Sequence, residues 1–126
     1  MQPVIVDTDI LVDYLCGHPR AVTFMEIFAD RIILSSIVVA ELCAGAQNED
    51  ERDALDEFLS LFRVVPVSRE LARAGAAYRS HYGMLHGTSL AAAILAATAE
   101  TEGAELKTLH TGHYPMIKDL EPAYTR

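Results

Sequence analysis

A chain of 126 residues, about half of them apolar, is long enough to bury a core, which excludes a disordered tract or a peptide held together by disulfides. A formal charge of −8 excludes a general phosphate-neutralising surface, so any dealing with RNA must go through a bound metal or a local basic patch. Cys16 and Cys43 lack CxxC spacing and read as reduced thiols, and no apolar run approaches the ~18 residues of a membrane span. With the N-terminus passing straight into a strand, the expectation is one soluble cytoplasmic domain over residues 1–126, with no membrane association.

Val4-Ile5-Val6 reads as a short buried strand. Asp9 is placed as the N-cap of a helix that runs from Ile10 to Leu15 and is broken by Gly17-His18-Pro19. A second helix covers Arg20 to Ala29, with Val22, Met25 and Phe28 at helical spacing. Arg31 to Ser35 is a second buried strand. Ser36 then caps a third helix, Ile37 to Ala46. Asn48 or Asp50 opens a fourth helix that reaches about Phe62, its acidic start favoured by the helix dipole. Arg63 to Val67 is a third strand, and Pro66 predicts an edge or end position. Ser68 caps a fifth helix to about Tyr82, and Gly83 to Thr88 is a loop. The alanine-rich sixth helix runs from Ser89 to Glu102 and stops at Gly103. Leu106 to Leu109 is a fourth strand, and the tail from Tyr114 leaves room for one more. Strands alternating with helices, without hairpin turns, predict an α/β three-layer sandwich: a short, mostly parallel sheet of four or five strands flanked by helices.

Asp7 ends the first strand at the edge where α/β sheets place their ligands, with Asp9 two residues on. Two acids this close repel unless something positive lies between them, and Mg²⁺ or Mn²⁺ suits carboxylate oxygens. Capping explains Asp9 better than it explains Asp7. Glu41 lies in an otherwise apolar stretch, Ile37 to Gly45. It is either the solvent-facing stripe of its helix or a third acid at the same sheet edge. His110 follows the fourth strand and His113 lies three residues further on, a weak zinc spacing without cysteines. His86 precedes the sixth helix. Lys107 and Arg79 could contact phosphate, although surface cations usually do nothing specific.

Val4 to Leu15, Ser36 to Leu42, Gly87 to Leu90 with Ala93 to Ala99, and Leu106 to Leu109 with His113 to Ile117 together resemble a PIN domain. The resemblance is to the VapC-type toxins of bacterial and archaeal toxin–antitoxin pairs, and it spans the chain. It implies a Mg²⁺- or Mn²⁺-dependent endoribonuclease in which clustered carboxylates hold the ion and activate a water against an RNA phosphodiester. Asp7, Glu41 and Asp9 carry over as catalytic positions, Asp7 and Glu41 as metal ligands, and Thr8, Thr108 and His110 as accessory positions. Two positions depart from the family pattern. Ala92 stands where the family carries an aspartate, and His110 where it usually carries asparagine or aspartate. Ala92 cannot ligate a metal, so the resemblance implies a weakened or silenced site. It also implies a homodimer, an RNA substrate and a small antitoxin whose tail sends a basic residue into the acidic pocket. One alternative is a catalytically inactive module that binds an antitoxin or RNA. A more distant one is a haloacid dehalogenase-like phosphatase with Asp7 as nucleophile. That reading leaves Glu41 without a role and lacks a downstream Gly-Asp motif.

Overall fold

The computed structural model describes all residues, 1–126. Four strands, β1 (Val4–Val6), β2 (Ile32–Ser35), β3 (Arg63–Val65) and β4 (Glu105–Lys107), form one parallel sheet in the order β3-β2-β1-β4. Val4 pairs with Ile32 on one side and Glu105 on the other, and Ser35 pairs with Val65. Central strands of a covered parallel sheet need apolar side chains on both faces, and every residue of β1 and β2 is buried. β3 is an edge strand that ends before Pro66, where the missing N–H costs the ladder nothing.

Six helices flank the sheet: α1 (Thr8–Leu15), α2 (Pro19–Phe28), α3 (Ser36–Ala44), α4 (Glu49–Leu59), α5 (Arg69–His86) and α6 (Leu90–Glu102). None is long and apolar enough to cross a membrane. α5 and α6 make the most extensive helix pair. Gly75 sits against Ile94, where an added Cβ would lie 2.5 Å from the Ile94 side chain. Small residues on both partners, with Ala92, Ala93, Ala96 and Ala97 buried on α6, allow this approach. Around the sheet, Ile5, Leu34, Leu95 and Val38 are fully buried, and each contributes about 1.5–3 kcal/mol of transfer free energy.

The boundaries differ from the sequence-based expectation in instructive places. α1 begins at Thr8, two residues early, because Asp7 and not Asp9 is its N-cap and accepts from the Thr8 N–H. The same shift occurs at α3: the Ser35 hydroxyl accepts from Ile37 N–H, while Ser36 Oγ accepts from Val67 N–H and anchors the end of β3. α5 does not stop at Tyr82. It runs through Gly83 to His86 and closes on Gly87, whose φ of +65° is the left-handed turn that glycine takes without strain. The fourth strand is shorter than expected and shifted toward the N-terminus. The tail adds no fifth strand, only a 3-10 turn at Thr111–His113.

Candidate active site

The strand order places a switch point at β1: the chain goes from β1 to β2 and β3 on one side, and later adds β4 on the other. Crevices of this kind, beyond the carboxyl ends of diverging parallel strands, are where α/β sheets bind ligands. Asp7 follows β1 and Thr108 follows β4, and a cleft of about 200 Å³ opens there. Its lining includes Asp7, Thr8, Asp9, Glu41, Ala92 and His110, together with Ser89, Ala91, His113 and Tyr114. The sequence-derived positions thus converge, apart from Thr108, which lies behind the lining as a buried support.

Each acid is held by donors. Asp7 Oδ1 accepts from Thr8 N–H at 2.8 Å, and Oδ2 from the Thr108 hydroxyl at 2.8 Å and the Tyr114 hydroxyl at 2.7 Å. Asp9 Oδ1 accepts from Ile10 N–H at 2.8 Å, and Oδ2 from Leu109 N–H at 2.9 Å. The same Oδ2 lies 2.8 Å from His110 Nδ1. Thr108 has one hydroxyl proton and spends it on Asp7, the nearer acceptor; Asp9 Oδ2 is 3.3 Å away. These bonds tie the β1–α1 turn to the segment after β4, a junction between residues about a hundred positions apart. Glu41 is exposed and comes from α3; its Oε1 accepts from the Thr8 hydroxyl at 2.6 Å.

The electrostatics follow from this placement. Burial pushes the Asp7 carboxyl above the usual carboxylate range, and the neighbouring charge of Asp9 adds to the shift. The hydrogen bonds from Tyr114, Thr108 and Thr8 oppose it without cancelling it. Tyr114 is buried, and burial followed by the charge of Asp7 drives its phenol far above the ordinary range, so it stays a proton donor to Asp7.

The fit of a divalent ion can be tested on these donors. Mg²⁺ is held through one or two carboxylates and keeps several waters. A carboxylate offers about four lone-pair positions, and Asp7 already accepts three bonds. Both oxygens of Asp9 are also engaged, and the Ala92 methyl occupies the position of the expected third acid. Asp7 keeps one lone-pair position and Glu41 Oε2 accepts no donor, so Asp7 and Glu41 would hold Mg²⁺ or Mn²⁺ with water filling the place of the acid that Ala92 lacks.

Other expectations fall outside the cleft. Lys107 pairs with Glu105 at 2.9 Å and lies over the Phe28 ring, while Arg79 and His86 are exposed on α5 away from the lining. Cys16 and Cys43 are free and exposed. Tyr114 and Ser89 belong to the cleft without having been picked out as site residues, Ser89 only as a helix cap. Tyr114 had no local signal, since its role depends on a partner far away in sequence.

Residues 4–111 match the family model described as "PIN domain". Among curated proteins, the chain is 36% identical over 124 residues to "Ribonuclease VapC19" of Mycobacterium tuberculosis, covering 95% of this chain and 98% of the relative. Among solved structures it resembles a toxin–antitoxin complex from Klebsiella pneumoniae, with a TM-score of 0.82 at 27% identity over 96% of this chain and 98% of the other. It also resembles VapBC2 from Rickettsia felis bound to a promoter DNA fragment, with a TM-score of 0.76 at 26% identity over 94% and 96% of the two chains.

Proposed function

The chain belongs to the PIN domain family, and on that premise we propose that it is an endoribonuclease of the VapC toxin type, held in check by a small antitoxin protein. The observation that carries this is the gathering of Asp7, Asp9 and Glu41 into one cleft at the sheet's switch point. The similarity to a ribonuclease and to a toxin–antitoxin complex supports the substrate class and the partner.

Asp7, Glu41 and Asp9 are the acids assigned to the reaction. Asp9 is fixed by backbone donors and in turn fixes His110. Glu41 Oε2 accepts no protein donor, so it is the carboxylate oxygen free to take a ribose hydroxyl of the substrate or a basic side chain of the antitoxin. Asp7 and Glu41 are the carboxylates that would hold Mg²⁺ or Mn²⁺, which would supply an activated water and charge for the phosphate. An ion on Asp7 and Glu41 would lack the third carboxylate, because Ala92 stands at that place in the cleft lining. A homodimer belongs to the same reading, supported by exposed Met84, Leu85 and Leu90 around the α5–α6 junction.

The test is incubation of the full chain with total bacterial RNA, followed by mapping of new ends. Discrete fragments that disappear in Glu41→Gln are expected. The position of Ala92 specifically favours a second reading, an inactive module that only binds antitoxin or RNA. Absence of cleavage together with retained partner binding would establish that reading instead.

A further inference from the structure

Three carboxylates line the cleft, and no lysine or arginine does. Even with an ion on Asp7 and Glu41, the lining offers no fixed cation to the flanking phosphates, so the hold on an RNA strand falls to its uncharged part, the bases. One surface of the cleft suits them. Thr111–His113 is a 3-10 turn in which His113 N–H donates to His110 O at 3.1 Å. Such a turn brings side chains three positions apart over one another. The His110 and His113 rings accordingly stack, with centroids 5.5 Å apart and planes within 12°. Both residues are exposed and both line the cleft. Lone pairs lying in nearly parallel planes do not converge on one ion, so the pair is not a zinc site. The pair is also held from behind. His110 Nδ1 lies 2.8 Å from Asp9 Oδ2, and Asp9 is fixed by the Ile10 and Leu109 N–H groups. The buried Thr88 donates its hydroxyl to His113 O at 2.9 Å and anchors the turn to the segment before α6. A pair ordered in advance leaves little rotamer entropy for a ligand to overcome.

We propose that the His110–His113 pair is a stacking platform for one nucleobase of a single-stranded RNA substrate, next to the phosphate that enters the acidic cleft. The proposal rests on the endoribonuclease reading and deepens it, by naming the part of the substrate that the cleft grips and the residues that grip it. The base has to be unpaired, because its face must leave the strand's own stack to cover the imidazoles. A neutral π-face also tolerates the three carboxylates beside it, which a second phosphate would not. His110, one of the two departures from the family pattern, thereby has a role: an asparagine or aspartate at that position has no ring to offer. Asp9 is a positioning residue for the platform, since it fixes the edge of the His110 ring.

The experiment presents the full chain with the two halves of a nucleotide and follows the ring C–H signals of His110 and His113 by proton NMR. Adenosine carries a base and no phosphate; ribose 5-phosphate carries a phosphate and no base. Adenosine should move both sets of signals upfield, the direction that a base stacked over a ring produces, and ribose 5-phosphate should leave them in place. The His110 response to adenosine should vanish in His113→Ala and persist in His113→Phe, which keeps a flat ring without its nitrogens. On single-stranded RNA with Mg²⁺, His113→Ala should raise KM about 5–150-fold while kcat changes far less, and His113→Phe should restore KM. Rings that answer to ribose 5-phosphate and not to adenosine would overturn the platform, as would a His113→Phe variant as impaired as His113→Ala; cleavage by the original chain would in either case leave the endoribonuclease reading intact. An adenosine response without any RNA cleavage would support the platform and overturn the nuclease reading instead.

Discussion

Two aspartates sit at opposite ends of α1 and meet opposite fates. Asp7, the N-cap, is half-buried beside a second carboxylate, and its proton affinity is raised by burial first and by Asp9 second. Asp13, in the last turn, is gripped by the Arg126 guanidinium through bonds of 3.0 and 3.1 Å, and its carboxyl is held below the usual range chiefly by that bond. Each also accepts a tyrosine hydroxyl, Tyr114 at 2.7 Å and Tyr124 at 2.8 Å. The tyrosine partner is thus matched, while burial and the second charge differ: another acid beside Asp7, a guanidinium on Asp13. A carboxylate kept in surroundings that disfavour its charge marks a working site, whereas one given a counter-charge marks a fastening. Asp13 fastens the tail. Ala123 N–H bonds to Thr108 O at 2.9 Å, so the same tail braces the residue whose hydroxyl supports Asp7.

The strongest way to break this contrast is to add charge on the Asp7 side. Ala92 lies in the first turn of α6, capped by Ser89, where the helix end favours an acid. Ala92→Asp should bring a third carboxylate toward Asp7 and Glu41, lower the melting temperature without metal, and tighten Mn²⁺ binding. At about 100 times its dissociation constant, Mn²⁺ should stabilise that variant by about 2.7 kcal/mol, roughly 10 °C by thermal denaturation. The original chain should show a smaller shift. An equal Mn²⁺ response in both forms would mean that Asp7 and Glu41 suffice for the ion.

Removing a donor comes next. Tyr114→Phe leaves the half-buried Asp7 carboxylate one bond short, a loss of about 1.5–3 kcal/mol for a bond to a charged group. In the Asp7→Asn background the same change should cost clearly less, because the charge it serves is gone. Equal costs in the two backgrounds would show that Tyr114 acts through packing alone.

These partners also mark where the sequence stopped being legible. The four strands and six helices were readable because their signals are local: β-branched runs, helical spacing, and caps at Asn48, Ser68 and Ser89. The caps at Asp7 and Ser35 were misplaced by one or two residues because the next polar residue, Asp9 or Ser36, competes for the same role. Sequence cannot show that those two side chains are used elsewhere, by Leu109 and Val67. Asp7 and Glu41 were legible as acids at the ends of buried elements. The Asp9–His110 pair and the Tyr114 and Thr108 bonds to Asp7 were not, since they close between residues about a hundred positions apart. The same distance hid the Arg126 clamp on Asp13.

Asp7→Asn sharpens the comparison from the other side, with a smaller effect. A carboxyl whose folded pKa exceeds its unfolded value binds its proton more tightly when folded. Its ionised form therefore costs stability, and this cost grows as pH rises from the ordinary carboxylate range through the raised pKa. Asparagine carries no charge, keeps an acceptor for Thr8 N–H, and offers an N–H to the Tyr114 and Thr108 oxygens. Asp7→Asn should therefore raise the melting temperature near pH 7, by about 1 kcal/mol or a few degrees, and the gain should shrink to nothing by about pH 3.

Asp13→Asn should do the reverse, more weakly. The folded pKa of Asp13 is lowered, so its stabilisation is complete above the unfolded value near pH 4 and is lost as pH falls through the folded one. At pH 7 the variant loses the charge that Arg126 pairs with, but the guanidinium is about half exposed and water screens the pair. Pairs exposed in this way contribute little, so only a small drop in melting temperature is expected. The drop should shrink in molar salt and close in strong acid, once the folded original chain has also lost the charge. Thermal denaturation of the original chain and both asparagine variants at pH 7 and at low pH tests the pair together. Shifts of opposite sign at pH 7 that converge in acid are expected. Shifts of the same sign at pH 7 would mean that burial with Asp9 at one end and Arg126 at the other do not set these two carboxylates apart, and the distinction between a working acid and a fastening one would fail for α1.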